Sequence, residues 1–252
     1  MTNPADHNDV PEHAGTDAGA GDGEGSSDGS AEPSREGEPS GGSREDASPI
    51  AHLYASAREQ TDRGDLTAAI STYRTLLGKD PAHVRARNNL GLLLEQRGDV
   101  DGALQELDRA LESEPDNTSL LCNRAAILSA HLKYDRAEAD LRKALRLDDR
   151  NAEALMNLGI LACRRGRWRE SLEPLKRVVE LEPDRAMAHY HLGEAYNHID
   201  QLPAALESYE TAAALQPSNW RALKGIGIVL DRMGRPTEAA LAYQRSREAQ
   251  RR

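Results

Sequence analysis

Three asparagines, Asn89, Asn123 and Asn157, recur at intervals of 34 residues. A side-chain amide carries both donor and acceptor. A ladder of them could bond the N–H and C=O groups of an extended peptide, which must be paired when they lose water. The same spacing also suits a solvated helix face or hydrogen bonds between repeated units. His191 takes the lane in the next unit and Gly225 the one after. His191, Glu194 and His198 stand at i, i+3 and i+7, on one helix face. Two imidazoles and a carboxylate could contribute to a divalent-metal site. No fourth ligand accompanies them, so no metal is assigned. The trio reads as a polar patch whose binding would be sensitive to pH below about 6.5.

Cys122 and Cys163 are the only cysteines. They fall about two helical turns out of step in neighbouring units, which argues against a disulfide, and neither has a paired base that would make it a nucleophile. The string GAGDGEG near the N-terminus has no strand and helix after it, so it is no phosphate loop. Arg164, Arg165, Arg167 and Arg169 make one basic edge. It lacks the breadth and stacking aromatics of a nucleic-acid site; it suits a solvated turn, or the docking of an acidic partner or an acidic segment of the same chain. With no acid–base pair, activated nucleophile or cofactor loop, the chain reads as non-enzymatic and without a cofactor.

The elements that position these residues are themselves repeated. Pro81, Pro115, Pro183 and Pro217 keep a 34-residue register, with Asp149 in the gap. One lane of small residues runs Ala57, Gly91, Ala125, Gly159, Gly193, Gly227, and a second runs Ala69, Ala103, Ala137, Ser171, Ala205, Ala239. Four residues after the second lane come Tyr73, Leu107, Leu141, Leu175, Tyr209 and Tyr243. Apolar residues recur within each unit at steps of three and four, the helical period. Turn glycines at Gly64, Gly98, Gly166 and Gly234 divide each unit into two helices. Small residues opposite Leu or Tyr predict closely packed antiparallel pairs, and the strict register predicts an all-α solenoid of six stacked units.

Leu90-Gly91, Leu158-Gly159 and Leu192-Gly193, with Ala205 and Tyr209 followed by Pro217, resemble the tetratricopeptide repeat family. The resemblance covers residues 50–252, with repeats at about 50–83, 84–117, 118–151, 152–185, 186–219 and 220–252. It implies a right-handed superhelix whose first helices line a concave groove. The groove residues it implies are Asn89, Asn123, Asn157 and His191, flanked by Tyr54, Arg58, Arg85, Leu92, Glu95, Cys122, Ala126, Met156, Ile160, Tyr190, Glu194, Asn197, Lys224 and Ile228. The asparagine lane is similar to the peptide-binding lane of the repeats in protein O-linked N-acetylglucosamine transferases. The Lys/Asn/Arg clamp of members that grip chaperone C-terminal carboxylates is absent from the register. Departures are Ser56 and Arg124 at the Leu position, Leu132 for a turn Gly, and Arg87 and His189 for the bulky residue before Leu-Gly. Pro174 inside a second helix should kink it or cost about 3 kcal/mol unless packing compensates. Pro236 falls at a helix start, where Pro is tolerated.

The 252-residue chain has no Phe and a net charge of −10. That charge belongs entirely to residues 1–49, which hold twelve acids and only Arg35 and Arg44 as bases. Rich in Gly, Ser and Pro, this stretch cannot bury enough apolar surface to fold and is expected to be a disordered acidic tail. The two-cysteine content, the polar N-terminus and the lack of long apolar runs point to a cytoplasmic protein with no membrane insertion. An excess of Arg over Lys, 27 against 5, points to GC-rich coding and a bacterial source. The expected function is a protein–protein interaction module that binds an extended peptide of a partner in the groove. The alternative is an assembly scaffold that joins others through its terminal faces, including self-association at the C-terminal end, where no polar capping helix follows the sixth unit.

Overall fold

The computed structural model describes residues 48–251. The expected disordered tail lies outside the described residues, apart from Ser48 and Pro49. Those two begin the first helix, because the Ser48 hydroxyl accepts the Ala51 N–H and Pro49 occupies the first turn.

Twelve helices follow, in six antiparallel pairs: α1 Pro49–Asp62 with α2 Leu66–Lys79, α3 Val84–Gln96 with α4 Val100–Ser113, α5 Thr118–Ala130 with α6 Tyr134–Leu147, α7 Ala152–Arg164 with α8 Trp168–Leu181, α9 Ala186–His198 with α10 Leu202–Leu215, and α11 Trp220–Arg232 with α12 Pro236–Gln250. No strand occurs among the described residues. Each pair packs on the next, and the odd-numbered helices from α3 to α11 also touch the next odd-numbered helix. The chain is an all-α solenoid.

Local chemistry explains the starts and stops. Asp65, His83, Asp99, Asn117, Asn151 and Asn219 each accept a first-turn N–H at their helix N-terminus. The turn within each pair needs a left-handed residue. Gly64, Gly98, Gly166 and Gly234 supply it with φ of 69 to 86°, and Leu132 (φ 60°) and Asp200 (φ 65°) adopt it despite their side chains.

The small lane marks the crossing of each pair. A Cβ on Gly91 would lie 3.1 Å from Leu107 Cγ, and one on Gly159 only 2.5 Å from Leu175 Cγ. On Gly193 it would lie 2.6 Å from Tyr209 Cδ1, and on Gly227 2.5 Å from Tyr243 Cε1. Each contact joins residues sixteen apart, as the two sequence lanes imply. The second lane, from Ala69 to Ala239, is fully buried, with the Ser171 hydroxyl donating to the Trp168 carbonyl. A core of Ala, Gly, Leu and Tyr therefore closes without phenylalanine.

Two departures resolve locally. Arg124 replaces the buried Leu of other repeats, and its guanidinium bonds both oxygens of Asp140 (2.8 and 2.6 Å) and Asp108 (2.7 Å). Asp140 is itself only 8% exposed, so the pair is compensated in place. Pro174 is buried within α8, which runs unbroken from Trp168 to Leu181.

Candidate functional site

Positions three, four and seven residues apart on an odd-numbered helix share a face. In α3 these are Arg85, Asn88 and Leu92; in α7, Glu153, Met156 and Ile160; in α11, Arg221, Lys224 and Ile228. One lane along this face is open. Leu92 is 40% exposed and Ile228 37%, Ala126 is exposed and Ile160 half-buried. Arg58 and Glu194 continue the lane in α1 and α9. Four apolar side chains in repeat register thus remain in contact with solvent.

The middle lane behaves differently in the middle of the array. Met156 is 3% exposed and Cys122 1%, both packed in the core between neighbouring helices. Met156 and Cys122 therefore do not line an accessible surface, contrary to the sequence expectation. A helix position that opens outward at the ends of the array is covered where helices stand on both sides. Burial pushes the Cys122 thiol up to about 12 and the Cys163 thiol up to about 11, so both are protonated and unreactive at neutral pH.

The asparagine lane faces its neighbours. Asn89 Nδ2 donates to the Tyr73 hydroxyl (3.0 Å) and the Tyr54 hydroxyl (3.3 Å). Asn123 Nδ2 donates to Asn88 Oδ1 (2.8 Å), and Asn157 Nδ2 to Glu153 Oε1 (3.2 Å). Three of these contacts span adjacent elements, and two of them join residues 35 apart. The same offset recurs in Arg164 to Ser129 (3.4 Å) and Arg232 to the Asn197 carbonyl (2.6 Å). Residues 34 apart are equivalent, but residues 35 apart are neighbours. Asn88 is thus a partner of the lane. Among the described residues, no protein group donates to Oδ1 of Asn123 or Asn157.

The two ends of the face are aromatic and charged. At the first, the Tyr54 ring stacks on His83 (centroids 5.2 Å) and meets Tyr73 edge-on, while Arg58 and Arg85 are exposed. At the other, Glu194 accepts from the Tyr190 hydroxyl (2.8 Å) and sits 2.8 Å from His191 Nδ1. Burial pushes the Glu194 carboxyl up, but the His191 bond and charge and the Tyr190 hydroxyl outweigh it and hold it below the usual carboxylate range. The Tyr190 ring packs near Tyr209 (5.9 Å), and burial raises both phenols. Arg221 and Lys224 lie on the next odd helix, α11; Arg221 stacks over Trp220 at 5.0 Å, and Lys224 is exposed.

His198 leaves the expected trio and stacks face to face on Trp168, with centroids 3.8 Å apart. No group of three or more His, Cys, Asp or Glu among the described residues could hold a metal ion. The basic edge at Arg164–Arg169 is also altered. Arg165 bonds Asp135 (2.9 Å) and Glu138 (3.0 Å), and Arg167 lies 3.5 Å from Glu138 and from Glu170. Carboxylates face those two cations, whereas Arg164 bonds the Ser129 hydroxyl (3.4 Å) and Arg169 is exposed, so half of the edge is matched within the array. A cavity of about 810 Å³ is lined by residues of α2, α3, α4 and the start of α6. Its Arg87 and Arg109 pair with Glu106, and Arg136 lies 4.0 Å from Asp108.

At the C-terminal end, α12 leaves Leu241 59% exposed. Its neighbours on that surface are Thr237, Gln244, Arg245 and Glu248, so the outer face of α12 is mainly polar. No helix among the described residues is long and apolar enough to cross a membrane.

A tetratricopeptide repeat family profile matches residues 54–118 and 199–251, and a second one matches residues 130–193. No curated protein matches the sequence. Among solved structures, a fragment of MamA from Desulfovibrio magneticus RS-1 is 24% identical, with TM-score 0.60, over 67% of this chain and 95% of that one. PilW, a type IV pilus biogenesis factor, is 20% identical with TM-score 0.71, over 77% of this chain and 90% of its own. YrrB, a repeat protein described as having an unusual peptide-binding site, is 19% identical with TM-score 0.56, over 71% and 92%. At these identities the three structures speak to fold.

Proposed function

Because the chain belongs to the tetratricopeptide repeat family, we propose that it is a non-enzymatic interaction module holding an extended peptide segment of a partner protein along its odd-helix face. The observation that carries this reading is the open lane of Leu92, Ala126, Ile160 and Ile228. Apolar side chains exposed in regular register favour an apolar ligand over water. The peptide-binding site described for YrrB, on a molecule of the same fold, supports it. The asparagines divide in role. Asn89 is a structural bond between helices, while Oδ1 of Asn123 and of Asn157 accepts N–H groups of the bound backbone. Tyr54, Arg58 and Arg85 hold one end of the peptide, and Tyr190, His191, Glu194 and Lys224 the other.

The test is the variant Leu92→Asp/Ile160→Asp. Both side chains are at least partly exposed, so helix content by circular dichroism should stay unchanged. Partners co-purified by the intact chain should be lost. Retention of those partners by the folded variant would remove the odd-helix face from the reading. It would favour joining through the ends of the array, where Leu241 is the exposed apolar side chain.

A further inference from the structure

The residues 50–252 carry thirty acids and thirty bases, so the array has no net charge. Its odd-helix face is nonetheless unbalanced. Two of its carboxylates are internally matched: Glu153 lies 2.7 Å from Arg185, and Glu194 is held by His191 and Tyr190. Its cations are not. Among the described residues, Arg58, Arg85, Arg221 and Lys224 have no carboxylate within 4 Å, whereas Arg87, Arg124, Arg165, Arg185, Arg232 and Arg235 all do. These four cations of the face fall in two groups at opposite ends; off it, Arg74, Arg164 and Arg169 also lack a carboxylate within 4 Å among the described residues. Arg58 and Arg85 flank Tyr54 on α1 and α3; Arg221 and Lys224 stand one helical turn apart on α11, with the charge of Arg221 felt at the Tyr190 hydroxyl. Between the groups runs the apolar lane of Leu92, Ala126 and Ile160.

We infer that the peptide this face accepts has an apolar centre flanked on both sides by acidic residues. This rests on the proposed peptide-binding face and specifies its ligand. Cations left without a carboxylate partner at a surface favour anionic groups, and a desolvated carboxylate–guanidinium bond is stronger than a neutral one. Like charge at either end disfavours a basic peptide, which supplies selectivity as well as affinity. The span sets the length. Odd helices packed about 8–10 Å apart give about 40–50 Å from α1 to α11, which an extended chain covers with about 12–15 residues.

Fluorescence anisotropy with the full chain tests this, using three labelled synthetic peptides of about 14 residues. All share a Leu/Ala centre; their flanks carry four Glu, four Gln or four Lys on each side. The Glu peptide should bind at least about tenfold more tightly than the Gln peptide at low salt, and the Lys peptide should not bind. The Glu advantage should shrink as salt screens it. The paired reversals Arg58→Glu/Arg85→Glu and Arg221→Glu/Lys224→Glu should each lower affinity for the Glu peptide by about tenfold while leaving the Gln peptide unchanged. Equal binding of the Glu and Gln peptides, abolished by Leu92→Asp/Ile160→Asp, would overturn the charge selection and leave the peptide-binding face standing. Binding of all three peptides that ignores Leu92→Asp/Ile160→Asp would overturn both. A dimer of the chain alone, dissolved by the two reversals, would assign the face to a second copy and overturn the inference. So would cross-links from photo-reactive groups at positions 92 and 228 to residues 1–47 of the same chain.

Discussion

The pairing of a small residue with Leu or Tyr sixteen positions later makes a prediction with a built-in control. Gly159→Ala places a methyl 2.5 Å from Leu175 Cγ and 2.7 Å from its Cδ2, well inside the ~3.5–4.0 Å of carbon contact. Leu175 is fully buried and its Cγ is not a mobile tip, so α7 and α8 must part by about 1 Å. Such overpacking costs about 1–3 kcal/mol. The pairs built on Ala57 and Ala125 show that this crossing can hold a Cβ when the backbones are set for it. Against the cost, replacing a helical Gly by Ala gains up to about 1 kcal/mol. Gly78→Ala isolates that gain, because nothing lies within 4 Å of a Cβ there. Gly78→Ala should therefore stabilise the chain by about 0.5–1 kcal/mol. Gly159→Ala should fall below it by about 1–3 kcal/mol in urea unfolding followed by far-ultraviolet circular dichroism. Hydrogen exchange should assign the loss to α7 and α8. The cycle with Leu175→Ala adds a second criterion. Alone that change costs about 2–5 kcal/mol. In the double variant the methyl added at position 159 fills part of the vacated space, so the two costs should not add. Equal stability of Gly78→Ala and Gly159→Ala, or simple additivity with Leu175→Ala, would refute the close-approach account.

Other expectations follow from the same structure. Arg124→Leu leaves Asp140 buried and uncompensated and should cost about 3–5 kcal/mol; adding Asp140→Ser, which copies the equivalent Leu192 and Ser208 pair, should recover most of it in the same urea assay. Leu132→Gly removes a left-handed side chain that is 72% exposed and should raise stability by about 1 kcal/mol. Burial against Trp168 lowers the His198 pKa; Glu194 opposes this and Arg232 adds to it. The unfolded chain then takes up the proton first, so stability should fall as pH drops through about 6.5 and reach its full loss below the folded value. His198→Gln should remove that part of the Tm shift between neutral and acidic pH, which calorimetry at each pH would show.

The fold was legible because every unit repeats one packing problem. Gly91 facing Leu107, or Gly193 facing Tyr209, could be read from two lanes sixteen residues apart, since a close helix crossing permits few solutions. The candidate face was legible only in part. Leu92, Ala126 and Ile160 were placed in the groove; Leu92 and Ala126 are exposed and Ile160 is half-buried. Met156 and Cys122 were placed there by the same periodicity and are buried, because burial at that position depends on a neighbouring helix on each side, which a single-helix projection leaves out. The asparagine lane was read at its 34-residue period, yet Asn123 meets Asn88 at 35, the offset between touching helices. That offset was available in the sequence once stacking was assumed. Arg124 looked like an interruption until Asp140, sixteen residues on, supplied its partner; the lane rule would have found it. The fate of His198 was not legible, as its stack on Trp168 joins the α7–α8 turn to the end of α9.

The central claim is that partners contact the odd-numbered helices. Photo-crosslinking tests it most directly. A benzophenone side chain would be placed in turn at Leu92, Ile160 and Ile228, and at the exposed even-helix positions Arg142 and Glu173. Cross-links to bound partner from positions 92, 160 and 228, with none from 142 and 173, are the predicted result. Cross-links confined to the even-helix positions, or to Leu241 at the end of the array, would contradict it.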